Sequence, residues 1–388
     1  MINEFYWPDI VGGTETYLRN VSEALVKKND VFIICNSSNN KFSKEFLNNV
    51  RIYRIPTDNF YPAIHNSRKP MILKPFWYLR SLKSNKSNLI VQKILDIEKP
   101  DIVHTHNLFS LSKYIFKGIK ELNIPLIYEL HDCYLLCPTT SLNYFWGRIC
   151  HSSSPICRLR KYLNRTIIGN MPDFVIAPSQ AIIDRHKENG FFKTIKTRQI
   201  FLGIELPNQK IDKNYETIDI LYVGSLSKHK GPQTLIKAFH SIKNPIFRLH
   251  IVGDGKERTN LENLARGDNR IRFYGYISEG IEKFYSQANI VVVPSLCFEA
   301  FGMVIIEAFA YDTPVIGSRV GGIPELIKDG KTGLLFKPGN TIDLSKKLMD
   351  LNQSKLDFFV RNVRNDKKKY SMKLHLNELL NLYRDLII

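Results

Sequence analysis

The sequence predicts an α/β chain of two Rossmann-like, doubly wound domains facing each other across a cleft. Three observations carry this. Short apolar runs alternate with helical periodicities, the pattern of βαβ units and a largely parallel sheet. The alternation stops at a polar, aperiodic stretch from Gly203 to Glu216 and then restarts. At 388 residues the chain also exceeds one ordinary hydrophobic core. The expected division is 1–203, a linker at 204–216, a second domain at 217–366, and a helical tail at 367–388 that packs back towards the first domain.

Taken in order, Gly12-Gly13 precedes a helix with Leu18, Val21, Leu25 and Val26 on one face. Two glycines at a helix start let backbone N–H groups approach a ligand closely, although a tight turn explains them equally well. A strand normally leads into such a loop. Only Met1 and Ile2 precede Asn3, so most of a first strand is expected to be missing. Strands are expected at Val31–Cys35, Val50–Ile55, Asp101–His104, Leu126–His131, Phe174–Ala177 and Gln199–Phe201. Helices fit Leu89–Glu98, Ser110–Leu122 and Gln180–Asn189. Residues 56–88 break the rhythm as an irregular insertion, with Pro62, Pro70 and Pro75 among Phe60, Tyr61, Phe76, Trp77 and Tyr78.

In the second half, strands are expected at Ile218–Val223, Phe247–Val252, Ile271–Tyr274, Ile290–Val293, Pro314–Gly317 and Leu334–Phe336. Helices fit Pro232–Ile242, Glu257–Ala265, Glu279–Gln287, Gly302–Tyr311 and Ile342–Leu351. In such sheets ligands bind at the carboxyl ends of the strands. Pro294 and Ser295 stop one apolar run, and a short loop follows with Glu299, Phe301, Gly302 and Met303. Glu307 lies in the helix behind it. The first N–H groups of that helix have no internal partners, so this corner suits an anion.

The formal net charge of +18 points to a polyanionic partner. Residues 41–90 hold ten Lys/Arg against Glu45 and Asp58, and residues 133–172 hold five and no acid. A solvated basic surface is the plain alternative. No apolar run approaches the roughly 18 residues of a membrane span, and the start lacks signal-peptide order, so the expected location is cytoplasmic. Cys133, Cys137, Cys150 and Cys157 share a window with His131 and His151. The window lacks the C-x2-C spacing of common zinc sites, so reduced thiols rather than a metal are expected.

The motifs in order are Pro8-x3-Gly12-Gly13-x-Glu15, Asp101-Ile102-Val103-His104-x-His106-Asn107, His131-Asp132, Ala177-Pro178-Ser179 and Tyr222-Val223-Gly224-Ser225-Leu226-x3-Lys230-Gly231. Then come Ile251-Val252-Gly253-Asp254-Gly255, Pro294-Ser295, Glu299 with seven residues before Glu307, and Gly321-Gly322-Ile323-Pro324-Glu325. In this order they resemble the family-4 retaining glycosyltransferases of the GT-B fold (group 1 type). The resemblance implies hexosyl transfer from a nucleotide-diphosphate sugar, UDP- or GDP-linked, to a glycan or lipid-linked hydroxyl. It implies no cofactor and no metal beyond the donor. Lys230 resembles the diphosphate-binding lysine, Glu307 the glutamate that accepts bonds from the ribose, and Glu299 the one beside the transferred sugar. His131 resembles the histidine facing that sugar. Ser225 stands where the family often has arginine, which leaves Lys230, Gly12-Gly13 and the helix near Gly302 to carry more of the charge. Backbone groups near Gly275-Tyr276 are expected to hold the base.

Trp77 and Tyr78 near Lys74, Arg80 and Lys83 suit an anionic membrane face. A lipid-linked or polysaccharide acceptor and peripheral attachment are therefore expected. Other classes are a sugar-nucleotide epimerase of the same fold, a basic nucleic-acid-binding protein, or a non-catalytic relative. No nucleic-acid recognition motif is visible, and the paired glutamates favour the transferase.

Overall fold

In the computed structural model, residues 1–387 are described apart from 69, 71–72, 84, 113, 138–141, 143–149, 151–153 and 209–210. The first domain opens on α1 (Gly13–Leu25), whose Tyr17, Leu18, Val21 and Leu25 are buried. Strands β1 (Phe32–Asn36), β2 (Ser43–Leu47) and β3 (Val50–Ile55) follow in the spatial order β1-β3-β2. Helices α2 (Lys74–Lys83) and α3 (Lys86–Glu98) lead to β4 (Val103–Thr105). The rest of the domain is α4 (Ile115–Glu121), β5 (Leu126–Glu129), α5 (Pro155–Ile168), β6 (Phe174–Ala177), α6 (Gln180–Glu188) and β7 (Lys196–Gln199). Strands β4 to β7 are parallel and adjacent in chain order. Ile2 bridges β1 at Ile34 and β4 at Thr105, so the first residues join the two sets of strands.

This half departs from the expected elements in three places. Strand β2 has no counterpart among the expected strands, because its side chains face solvent. It pairs antiparallel with β3 through Asn48 and Asn49, both at positive φ, the signature of a two-residue hairpin turn. The strand expected at 199–201 ends at Gln199. Ile200 and Leu202 are buried beyond it, so their apolarity reports core packing rather than strand pairing. The segment 56–88 is not irregular throughout: it contains α2, in which Pro75 sits in the first turn, where a missing N–H costs nothing. Trp77 and Tyr78 point inward rather than to solvent. The Trp77 ring packs on Tyr61 and Phe109, and its indole N–H donates to the Tyr61 carbonyl at 3.0 Å.

The second domain runs β8 (Ile218–Val223), α7 (Pro232–His240), β9 (Phe247–Val252), α8 (Arg258–Ala265), β10 (Ile271–Gly275), α9 (Ile281–Gln287) and β11 (Ile290–Val293). It continues with α10 (Met303–Ala310), β12 (Val315–Ser318), α11 (Ile323–Leu326), β13 (Gly333–Phe336) and α12 (Thr341–Met349). All six strands are parallel, in the order β10-β9-β8-β11-β12-β13. The order reverses between β8 and β11, which makes their carboxyl ends the ligand position. Helix α13 (Gln353–Asp366) had no counterpart in the sequence reading, although Leu356, Phe359, Val360 and Val363 mark its buried stripe.

Helix α14 (Met372–Ile387) crosses to the first domain and packs against α1. Ile204 pairs with the chain just before it, donating to the Tyr370 carbonyl and accepting from the Met372 N–H. One continuous core then takes in Tyr17 and Ile33, Ile305 and Ile323, and Leu379 and Leu382. Among the described residues no helix is long and apolar enough to cross a membrane.

Candidate functional site

The switch point brings two loops together. The loop after β8 turns at Gly231, whose φ is +75° and whose added Cβ would lie 2.0 Å from the Pro294 carbonyl oxygen at the end of β11. Only glycine fits, and that close approach sets Lys230 beside the second loop. Lys230 Nζ lies 2.5 Å from Glu299 Oε1, and Ser295 donates to the same oxygen at 2.7 Å. Gly321, at φ +55°, packs on the Glu299 backbone from the other side, where a Cβ would meet its carbonyl oxygen at 2.1 Å.

A cleft of about 590 Å³ opens here between the domains. Ten of the twelve residues singled out from the sequence line it: Gly12, Gly13, His131, Ser225, Lys230, Glu299, Phe301, Gly302, Met303 and Glu307. Gly275 and Tyr276 are not among its lining residues, and Tyr276 is 77% exposed. The Gly12 N–H is already used, donating to Glu15 Oε2 at 2.7 Å, so what α1 can offer a ligand begins after it. Ser225 keeps its carbonyl on the Tyr222 hydroxyl at 2.8 Å. Arg258 is engaged by Asp254 and Glu262.

The electrostatics separate the two glutamates. Burial pushes the Glu299 carboxyl up, but the Lys230 ammonium and the Ser295 hydroxyl more than offset it and hold the group below the usual carboxylate range. Burial pulls Lys230 down, and Glu299 reverses that, leaving it raised. Among the described residues no cation pairs with Glu307. Burial raises its pKa, opposed by Tyr285, whose hydroxyl donates to Glu307 Oε2 at 2.7 Å. Across the cleft, burial lowers His131, whose Nε2 lies 2.9 Å from His106 Nδ1. Asp132 is raised to about 6, chiefly by burial.

Sequence reasoning missed Tyr285, Ser295 and Asp132 as parts of the site. It also missed Glu325, whose carboxylate accepts from the Gln180 and Ala181 N–H groups and from the Gln199 amide. That carboxylate of the second domain sits on the positive end of α6 in the first, a favourable placement that ties the cleft walls together. The cysteine window gathers no metal-type cluster among the described residues, and none of the six cysteines is in a disulfide. His151 lies outside the described residues. The one grouping of metal-ligand type among the described residues is buried His104, His106 and Glu129.

Two largely parallel-sheet domains with a cation and two carboxylates at the switch point define a GT-B glycosyltransferase. The family models agree: "Glycosyltransferase Family 4" matches residues 11–206 and "Glycosyl transferases group 1" matches 204–372. The chain belongs to the family-4, group 1 glycosyltransferases. It is 29% identical over 328 residues to an uncharacterised 42.6 kDa protein in the cps region of Klebsiella pneumoniae, covering 84% of this chain and 86% of that one. Among solved structures, sucrose-phosphate synthase from Thermosynechococcus elongatus has a TM-score of 0.77 at 21% identity, over 99% and 98% of the two chains. Anabaena HepE in complex with UDP-glucose has a TM-score of 0.70 at 17% identity over the full length of both.

Proposed function

We propose that this glycosyltransferase moves a hexose, with retention of configuration, from a UDP- or GDP-sugar to a lipid-linked or polysaccharide hydroxyl. The Lys230–Glu299 pair at the switch point carries the reading. Cleaving a glycosyl–phosphate bond builds charge on the leaving diphosphate, and a fixed, partly buried ammonium stabilises it. Glu307, held on one oxygen by Tyr285, keeps acceptor capacity for ribose hydroxyls. A double displacement would need a free carboxylate nucleophile. Glu299 is committed through Oε1 to an ion pair with Lys230 and a bond from Ser295, and departure and attack on one face needs only that charged clamp. No metal is required by this scheme.

A thermal-shift panel of UDP-, GDP- and ADP-sugars tests the donor. Binding to the native state alone adds about 2.7 kcal/mol at a hundred times Kd, so one nucleotide series should raise the midpoint. A flat response to all three would sink the reading.

The place of the Klebsiella relative in a cps region supports a polysaccharide or lipid-linked acceptor. Two packed helices support attachment to an anionic membrane face. Arg160 of α5 lies 4.0 Å over the Tyr78 ring of α2, and the Tyr78 hydroxyl bonds Asn164. Their outer sides expose Phe76, Leu79, Leu159 and Tyr162. Arg80, Arg158 and Arg165 are exposed beside them, and neither helix contains an acid. Apolar side chains among cations are the composition of an interfacial surface. The full chain should float with anionic vesicles and not with neutral ones, and the Leu79→Ser, Tyr162→Ser double variant should float less. No recovery with anionic vesicles would refute attachment, and equal recovery with neutral ones would refute its dependence on anionic lipid.

A further inference from the structure

Behind His131 lies a buried set of polar side chains that the transfer chemistry does not use. Glu129 Oε2 lies 3.1 Å from the Tyr17 hydroxyl, 3.3 Å from His104 Nε2, 3.4 Å from His106 Nδ1 and 3.8 Å from His131 Nε2. No lysine or arginine pairs with it among the described residues, and it is 1% exposed. Two members reach it from α14. Tyr383 Oη is 2.7 Å from His104 Nδ1, and His375 Nε2 is 2.8 Å from the Tyr17 hydroxyl. Burying so many polar groups is costly where aliphatic residues would pack well, so the arrangement calls for a role beyond packing.

The hydrogen-bond geometry suggests one. Between His106 Nδ1 and His131 Nε2, 2.9 Å apart, a single proton is shared. His106 Nε2 is buried without a partner. An unpaired buried N–H is rarer than an unpaired lone pair. The proton therefore belongs on His106 Nδ1, where it also faces Glu129. His131 Nε2 then accepts, and its own proton is on Nδ1, the ring nitrogen not engaged inside.

We propose that Glu129 and His106 are positioning residues that fix His131 as its Nδ1–H tautomer, so that the ring acts as a donor towards the cleft, and that α14 completes the device through Tyr383 and His375. The proposal rests on the reading that His131 faces the donor sugar. In that setting an imidazole N–H would hold a sugar hydroxyl oxygen, while the nucleotide is gripped separately by the second domain. It also gives α14 a use besides covering apolar surface: its two polar side chains orient the far wall of the site.

The test needs no donor. Full-length protein labelled with ¹⁵N in histidine gives separate nitrogen shifts for the two neutral tautomers, and the signal lost in His131→Gln identifies the residue. Wild type should show His131 as the Nδ1–H form. Glu129→Gln and Tyr383→Phe should shift it towards a mixture, a change that a merely structural loss of stability would not produce. An Nε2–H signal in wild type overturns the proposal even if no variant folds. So do variant spectra with an unchanged His131 tautomer. Stoichiometric metal in the purified protein, which would claim the nitrogens of His104 and His106, also overturns it. Failure here leaves the nucleotide-sugar panel untouched, and a flat panel leaves the tautomer result standing.

Discussion

Lys230→Ala should lower kcat by roughly 10²–10³-fold, the usual consequence of removing one fixed charge-stabilising group from an acyl- or phosphoryl-type leaving site. Two effects add. The developing charge on the diphosphate loses its ammonium, and Glu299 is left largely buried with Ser295 as its remaining donor. An unpaired buried carboxylate is penalised and takes up a proton more readily. Glu299→Ala has the opposite balance, since it releases Lys230 to a phosphate oxygen and should preserve measurable transfer. Lys230→Arg should recover only part of the activity, because a planar fork does not replace a compact ammonium in a turn fixed by Gly231. Steady-state rates for the three variants check the ordering. Equal losses in Lys230→Ala and Glu299→Ala would argue that the carboxylate takes part covalently.

The second domain could be read closely from its sequence because its central strands are largely buried and therefore rich in branched apolar residues. Ile290–Val293 is a continuous apolar run, Ile218–Val223 and Phe247–Val252 are apolar except at Asp219, Arg248 and His250, and each forms the strand expected at those residues. The first domain was less legible where elements are exposed or packed sideways. Strand β2 is an edge with solvent-facing side chains, and α2 carries aromatic residues on opposite sides, so neither shows a clean period. The site divides similarly. Lys230, Glu299 and Glu307 are placed by loops and a helix next to one another in the fold, and their spacing along the chain could be recognised. Glu129, Tyr17, His375 and Tyr383 meet only because α14 returns across the molecule, and no local pattern announces such a meeting.

Trp77 separates the two readings of the basic insertion, and its replacement should have the largest effect on stability. The sequence suggested an interfacial anchor; the fold places the indole at 0% exposure, stacked between Tyr61 and Phe109 with its N–H bonded. Removing a buried indole typically costs ~3–5 kcal/mol, part transfer free energy and part cavity. Trp77→Ala should therefore lower the unfolding midpoint markedly, while the fraction that remains folded floats with anionic vesicles as wild type does. Leu79→Ser with Tyr162→Ser should behave in reverse, with vesicle binding reduced and the midpoint nearly unchanged, because both side chains already face water. If Trp77→Ala instead abolished vesicle binding without a change in midpoint, the indole would have to leave its pocket at the membrane. Attachment would then involve a rearrangement of α2 rather than the docking of a preformed surface.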